Sequence, residues 1–334
     1  MIKIEMDSII YKLQKFGGAS LYWSNLVKGL DCDPSFDVFE RKNGTMIRSM
    51  PIFSSSDIFH SSHFRCCVSS KVKKVSTVHD LTYELDLLGH GLPAKLNILE
   101  RKSSYYNSDA LVCVSNNTKK DLLKVYPDLN SRCKIEVIHH GFISSLGGDN
   151  KLPLTLNLSN PFYLFIGRRE GYKNFKVVTE SFYESLVWKD GYKLVCTGTY
   201  FTQKEIAMIK GFGLDKHVIS VGNLSGISLQ SLYSNAIALL YVSKYEGFGL
   251  PLLEAMKFGC PIITSNCSCM PEVVDDAAIL VDPYNVGDIS NAIISILDTK
   301  SQVRYKSLGY ERVKKFSWES SIMKYKELYK EILS

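Results

Sequence analysis

Short apolar runs alternate with helical stretches along most of this chain, and that alternation limits its fold more than any single motif does. Strands separated by helix-length segments build βαβ units and mostly parallel sheets. In the first half the expected strands are 2–5, 57–60, 74–79, 110–115 and 134–139, with helices at about 19–30, 93–107 and 117–126. A stretch rich in Gly, Ser, Asn and Pro follows, GFISSLGGDNKLPLTLNLSNP. Its periodicity is poor, so a domain boundary is expected near residues 145–160. The alternation then restarts. Strands are expected at 162–167, 193–197, 218–221, 237–242, 261–264 and 279–282. Helices are expected at 174–188, 203–210, 228–234, 251–258, 286–298, 302–316 and 318–333.

The expected architecture is α/β, with two doubly wound Rossmann-like domains facing a cleft. Residues 1–150 form the first, 151–317 the second, and 318–334 a closing helix that crosses back towards the first. Ligands of such sheets bind outside the carboxyl ends of the strands, so functional residues should stand just after strands.

A length of 334 residues suits two domains of ordinary size. The longest apolar runs, such as Ile237–Val242, are strand-length and far short of the roughly 20 residues that cross a bilayer. The N-terminus MIKIEMDSII carries acidic residues where an export signal needs an unbroken apolar stretch, so a cytoplasmic protein is expected. Nine cysteines are scattered with no CxxC, which suits reduced thiols better than zinc or disulfides. A net charge of +6 is mildly basic. Lysines gather at Lys71, Lys73 and Lys74 and at Lys119, Lys120 and Lys124, either as solvated faces or as contacts to lipid or phosphate. No nucleic-acid signature is present.

The segment SKYEGFGLPLLEAMKFG, residues 243–259, follows an apolar strand. Gly247 and Gly249 let backbone N–H groups approach a ligand closely. Pro251 suits the first turn of a helix, whose N-terminus favours phosphate. Glu246 stands on the loop before that helix, and Glu254 is expected in its first turn. Two carboxylates bracketing an anion cradle suit a ligand with hydroxyls on both sides of its phosphates, as in a nucleotide-sugar. The plainer alternative is that Glu254 complements the helix dipole and Glu246 is solvated.

This segment resembles the signature of the large retaining glycosyltransferase family numbered four, with the GT-B fold. Other strings are similar to that family in the same order: KFGGAS, VHDLTYE, VSNNTKKDLL, IHHGF, FYLFIGRREGYKNFKVVTESF, SCMPEVVDDAAILVDP and FSWES. The nearest subgroup is the mannosyltransferase-like enzymes of bacterial surface-polysaccharide assembly. The resemblance implies hexosyl transfer with retention of anomeric configuration. The donor would be a nucleotide-sugar, GDP-mannose first and a UDP-hexose second. The acceptor would be a glycan or a polyprenyl-linked oligosaccharide, in O-antigen, capsule or lipopolysaccharide synthesis. A peripheral contact with the cytosolic membrane face fits such an acceptor.

The resemblance also assigns roles. Arg168 and Lys173 would neutralise the leaving diphosphate in place of a metal ion, so no cofactor is expected. Arg169 competes with Arg168 for that assignment. No DxD string with a fitting context occurs: Asp31-Cys32-Asp33 precedes Pro34 in an apparent surface turn. Gly18 would belong to a glycine-rich first loop. His79 would face the donor sugar, although a strand-end His-Asp pair can equally be a packing or capping pair, with Asp80 capping the next turn. Glu246 would hold sugar hydroxyls and Glu254 the ribose. Gly247, Phe248, Gly249 and Leu250 would line the donor, and the last three would offer backbone N–H groups. The pairs His60/His63 and His139/His140 lack a third ligand at sensible spacing, so no metal site is expected.

Rival readings have less support. A dinucleotide-dependent oxidoreductase needs GxGxxG, or GxGxxA, after a strand, and the only match, GHGLPA, has no strand before it. On the same fold, the spaced Glu246/Glu254 pair argues against a nucleotide-sugar epimerase and the length against a large storage-polymer phosphorylase, while a non-catalytic nucleotide-sugar binder stays open as an alternative.

Overall fold

The computed structural model describes residues 1–14, 17–41, 50–89, 91–142, 160–169, 171–224 and 226–334. It divides into two units, Met1–Gly141 with Phe316–Ser334, and Phe142–Lys315. The expected linker, up to residue 159, lies outside the described residues.

The first unit holds one six-stranded parallel sheet. Its strands are β1 (Ile2–Asp7), β2 (Phe36–Arg41), β3 (Ile58–Ser61), β4 (Lys73–Val78), β5 (Ala110–Cys113) and β6 (Lys134–Val137), in the order β2-β1-β3-β4-β5-β6. The inner strands β3 and β5 are buried along their whole length, as a sheet covered on both faces requires. Strand β2 was not among the expected strands. It is an edge strand with only Phe36 fully buried, so its sequence FDVFER lacks the apolar run that marks its neighbours.

The closing helix Trp318–Leu333 belongs to this unit and covers its sheet. Ile322, Tyr325, Leu328 and Tyr329 share a core with Ile4, Met6, Tyr22, Trp23 and Leu26. Gly29 makes the close approach possible: a methyl there would lie 2.5 Å from the Ile322 side chain. His60 ties the helix to the sheet, with Nδ1 2.6 Å from the Tyr329 hydroxyl and Nε2 2.9 Å from Thr77 Oγ1. This histidine is therefore a buried structural link. Among the described residues no group of three or more His, Cys, Asp and Glu could hold a metal ion.

The second unit repeats the plan. Its strands are β7 (Phe162–Phe165), β8 (Lys193–Thr197), β9 (Val218–Gly222), β10 (Leu239–Tyr241), β11 (Ile262–Ser265) and β12 (Ile279–Val281), all parallel. The order β12-β11-β10-β7-β8-β9 is the Rossmann order, with β7 and β10 side by side at the point where the winding reverses. The core is built from Tyr163, Phe165, Val178, Phe182, Val195's neighbours Leu194 and Cys196, Leu240, Ile263 and Ile293. All nine cysteines are free. Among the described residues no helix is long and apolar enough to cross a membrane.

Candidate functional site

The reversal point between β7 and β10 predicts where a ligand of the second unit sits, and most of the sequence candidates stand there. After β7 the chain passes Gly167 and the two arginines, then makes a short 3-10 turn, Gly171–Lys173. Asn174 ends that turn in a left-handed conformation, φ 63°, and its buried Nδ2 donates to the Pro283 carbonyl at 2.6 Å. The Lys244 amide donates to the Tyr172 carbonyl at 2.7 Å. These two bonds lock the turn against the loops that leave β12 and β10.

The lock brings Lys173 to Glu246. Nζ lies 2.6 Å from Oε1, and both side chains are largely shielded. A charge-assisted bond of this length is of the strong kind. Glu246 is held by its backbone as well: its amide donates to Ser268 Oγ at 3.1 Å, and the same hydroxyl donates to its carbonyl at 2.8 Å. Tyr241, at the end of β10, closes the group. Its hydroxyl is 3.5 Å from Lys173 Nζ, and its ring faces the ammonium at 5.4 Å. Burial, reinforced by the Glu246 carboxylate, pushes the Tyr241 phenol well above its ordinary range, so it stays protonated.

The two arginines separate cleanly. Arg169 is buried, with Nε donating to Glu205 at 2.7 Å and Nη2 to the carbonyls of Thr199 and Tyr200 at 2.6 and 2.9 Å. Its guanidinium also lies over the Phe201 ring at 4.9 Å. Arg168 is exposed and makes no side-chain hydrogen bond or ion pair among the described residues. Arg169 is thus committed to holding the β8 end, and Arg168 is the available cation.

The glycine loop behaves as its sequence suggests. Gly249 sits at φ +88°, in the left-handed region, and starts the helix Leu250–Lys257. Phe248 is buried and Gly247 is half-exposed. The first-turn N–H groups of such a helix have no intrahelical partner. Glu254 needs a correction. The helix begins at Leu250, one residue before Pro251, and its first turn carries no acidic residue. Glu254 therefore lies in the second turn and does not complement the dipole at the terminus. Its Oε2 instead accepts a 2.7 Å bond from the buried Tyr233 hydroxyl. Burial raises its pKa, against the lowering effect of that bond.

In the first unit, Gly18 is the exposed first residue of the helix Gly18–Asp31. Residues 15 and 16 of its motif lie outside the described residues. His79 follows β4 and packs edge-on against Tyr22, with ring centres 5.1 Å apart. Its Nε2 is shielded and meets no hydrogen-bond partner among the described residues. Burial lowers its pKa to about 4, against the pull of Asp80, so the imidazole is neutral. Asp80 caps the following turn, as the plainer reading allows: Oδ1 accepts from the Thr82 amide at 3.1 Å and hydroxyl at 2.8 Å. It is also gripped by the buried Arg101, which donates to its carbonyl at 2.7 Å and its carboxylate at 3.0 Å. The same guanidinium pairs with Glu84 at 3.0 Å.

Tyr241, Tyr233, Ser268 and Arg101 were not found from the sequence. Each carries an ordinary residue type in an apolar run, a loop or a helix, and only the tertiary contact reveals its part. The structure brings Lys173, Glu246 and Tyr241 together. His79 and Gly18 belong to the other unit.

Two parallel, doubly wound α/β units, the second in Rossmann order and the closing helix returned to the first, are the GT-B architecture of glycosyltransferases. The fold of the whole chain matches that of sucrose-phosphate synthase from Thermosynechococcus elongatus, with a TM-score of 0.74 and 19% identity over 99% of each chain. It also matches Anabaena HepE in complex with UDP and glucose, with a TM-score of 0.72 and 15% identity over 99% of this chain and 100% of that one. The family description "Glycosyl transferases group 1" matches residues 150–312, and "Glycosyltransferase Family 4" matches residues 46–144. The chain belongs to this family of glycosyltransferases. Among its relatives is the O-antigen chain mannosyltransferase B of Escherichia coli, 32% identical over 164 residues. That match covers 48% of this chain and 43% of the relative, less than half its length.

Proposed function

We propose that this glycosyltransferase moves a hexosyl group from a nucleotide-sugar to a hydroxyl of a glycan or polyprenyl-linked oligosaccharide, with retention and without a metal ion. GDP-mannose is the first donor and a UDP-hexose the second. The relative named for O-antigen chain mannosyl transfer supports a mannosyl donor and a place in O-antigen assembly; capsule or lipopolysaccharide assembly at the cytosolic membrane face is what the family resemblance implies. HepE, of like fold, binds UDP and glucose, which supports a uridine donor as the alternative.

The observation that carries the reading is the Lys173–Glu246 pair at the reversal point of the second sheet. The donor diphosphate takes over Lys173 and recruits the unpaired Arg168. Glu246 is then released to accept hydrogen bonds from sugar hydroxyls. The helix start at Leu250 adds N–H groups for phosphate. The unbonded oxygen of Glu254 accepts from the ribose, while Tyr233 fixes the other oxygen.

The reaction breaks the bond between the anomeric carbon and the phosphate oxygen and forms one to the acceptor oxygen on the same face. The acceptor proton passes to the departing phosphate. Charge grows on the diphosphate, and two preorganised cations stabilise it. The resemblance gives His79 a role at the donor sugar, and a neutral imidazole would fill it by hydrogen bonding and not by charge. The test is incubation with GDP-mannose or UDP-hexoses in EDTA, with mass detection of glycosylated product. Release of nucleoside diphosphate with product supports the reading. Donor binding without turnover would leave a non-catalytic binder.

A further inference from the structure

The pairing of β10 with β11 ends at Tyr241 and Thr264. Beyond that point side chains carry the contact onward. Thr264 Oγ1 donates to the Tyr241 carbonyl at 2.7 Å, and Ser265 Oγ to the Ser243 carbonyl at 2.6 Å. Cys267 Sγ lies 3.4 Å from the Lys244 carbonyl, and Ser268 Oγ donates to the Glu246 carbonyl at 2.8 Å. Short side chains at 264, 265, 267 and 268 thus follow the carbonyls of 241, 243, 244 and 246 in order. They satisfy backbone groups that the sheet no longer pairs. The donor strip is itself anchored: Thr264 and Ser265 are buried, and the Asn266 amide donates to the Val281 carbonyl at 2.8 Å.

The last contact differs from the others. Ser268 Oγ also accepts from the Glu246 amide at 3.1 Å, so one hydroxyl grips both backbone polar groups of that residue. Ser268 stands at φ 55°, in the left-handed region, where a residue with a Cβ is strained. Gly249 and Gly259 occupy the same region at φ 88° and 65°, and there the chain uses glycine. A strained residue that is not glycine persists only where its surroundings over-determine it, and such residues gather at functional sites. We propose that Ser268 is a positioning residue for sugar transfer: its hydroxyl fixes the backbone of Glu246, and so aims the carboxylate that meets Lys173. This rests on the role proposed above for Glu246 at the donor sugar.

Ser268→Gly and Ser268→Ala, made in the full chain, separate aim from stability. Both delete the hydroxyl, but only glycine relieves the strain. Ser268→Gly should melt at or above the wild-type temperature, and Ser268→Ala below it. Release of nucleoside diphosphate is followed with GDP-mannose and with UDP-glucose, using whichever the wild type turns over faster. Both variants should lose about tenfold or more in kcat/KM, because a small misplacement of a reacting group is costly. A merely structural serine would not give an unimpaired melt together with that loss. In a Glu246→Gln background, Ser268→Gly should change kcat/KM by less than about twofold further, since the group it aims is already gone. Turnover of Ser268→Gly within about twofold of wild type, beside an impaired Glu246→Gln, overturns the positioning role alone. So does a full additional loss in the Glu246→Gln background. Wild-type turnover in Glu246→Gln itself overturns the role of Glu246, and the positioning role with it.

Discussion

Lys173 Nζ and Glu246 Oε1 lie 2.6 Å apart across two loops, 73 residues apart in sequence, that leave neighbouring strands. In the donor-free protein the carboxylate thus neutralises the cation that the proposed diphosphate would occupy. A double-mutant cycle measures this coupling directly. Lys173→Met and Glu246→Gln should each cut transfer by about a hundredfold or more. Each single change leaves a shielded, uncompensated partner, so the double variant should be less destabilised than the sum by about 1–3 kcal/mol in urea melts.

The adjacent arginines should part company under substitution. Arg168→Ala removes an exposed side chain with no ion pair among the described residues, so the melting temperature should change by no more than about 2 °C while turnover falls about a hundredfold. Arg169→Ala leaves Glu205 and the Thr199 and Tyr200 carbonyls without their donor and should destabilise the protein by about 3–5 kcal/mol. The reverse pattern in thermal melts and initial rates would reassign the phosphate ligand.

Tyr233→Phe deletes the bond to Glu254 Oε2 while keeping the ring stacked on Phe258. With the carboxylate free to turn, the KM for donor should rise about tenfold and kcat should stay within about twofold. A fall in kcat with unchanged KM would place Glu254 in the chemistry instead of at the ribose.

The first unit should be acid-sensitive in a defined window. Burial holds His60 at about 3 and His79 at about 4, and His140 well below the ordinary 6.5. All three are depressed, so their neutral forms contribute fully above pH 6.5. Below it the unfolded chain takes up protons that the folded chain refuses. Stability should fall from pH 6.5 towards about 4, by up to roughly 1.4 kcal/mol per pH unit for each histidine. The raised carboxyl of Glu84 in the same unit acts the other way, weakening the fold above the ordinary 4.5. Urea melts across this range, with His60→Gln giving a shallower slope, check the assignment.

Much of the fold was legible because parallel strands covered on both faces are written as apolar runs and helices as amphipathic stretches: the strand Lys193–Thr197 and the helix Trp318–Leu333 were expected at the observed limits. The amphipathic edge strand Phe36–Arg41 was not, since half of it faces away from the core. Glu246 and Gly249 announce themselves through glycine geometry and charge, and Lys173 through the family resemblance. Glu254 was set one turn too early because Pro251 was taken as the helix start, when Gly249 turns the chain into the helix a residue sooner. Tyr241 and Tyr233 were silent: a tyrosine in a strand or helix reads as core until the carboxylate its hydroxyl meets is seen. Likewise nothing in RRE says which arginine is committed, because that depends on Glu205 and the carbonyls after β8.

The central claim is that Lys173, freed from Glu246, binds the donor diphosphate without a metal. Titration calorimetry of GDP and UDP into the protein in EDTA tests it most directly. Binding by wild type in EDTA, weakened about tenfold or more in Lys173→Ala, is the predicted result. Binding that appears only with a divalent ion, or an affinity that Lys173→Ala leaves unchanged, would contradict it.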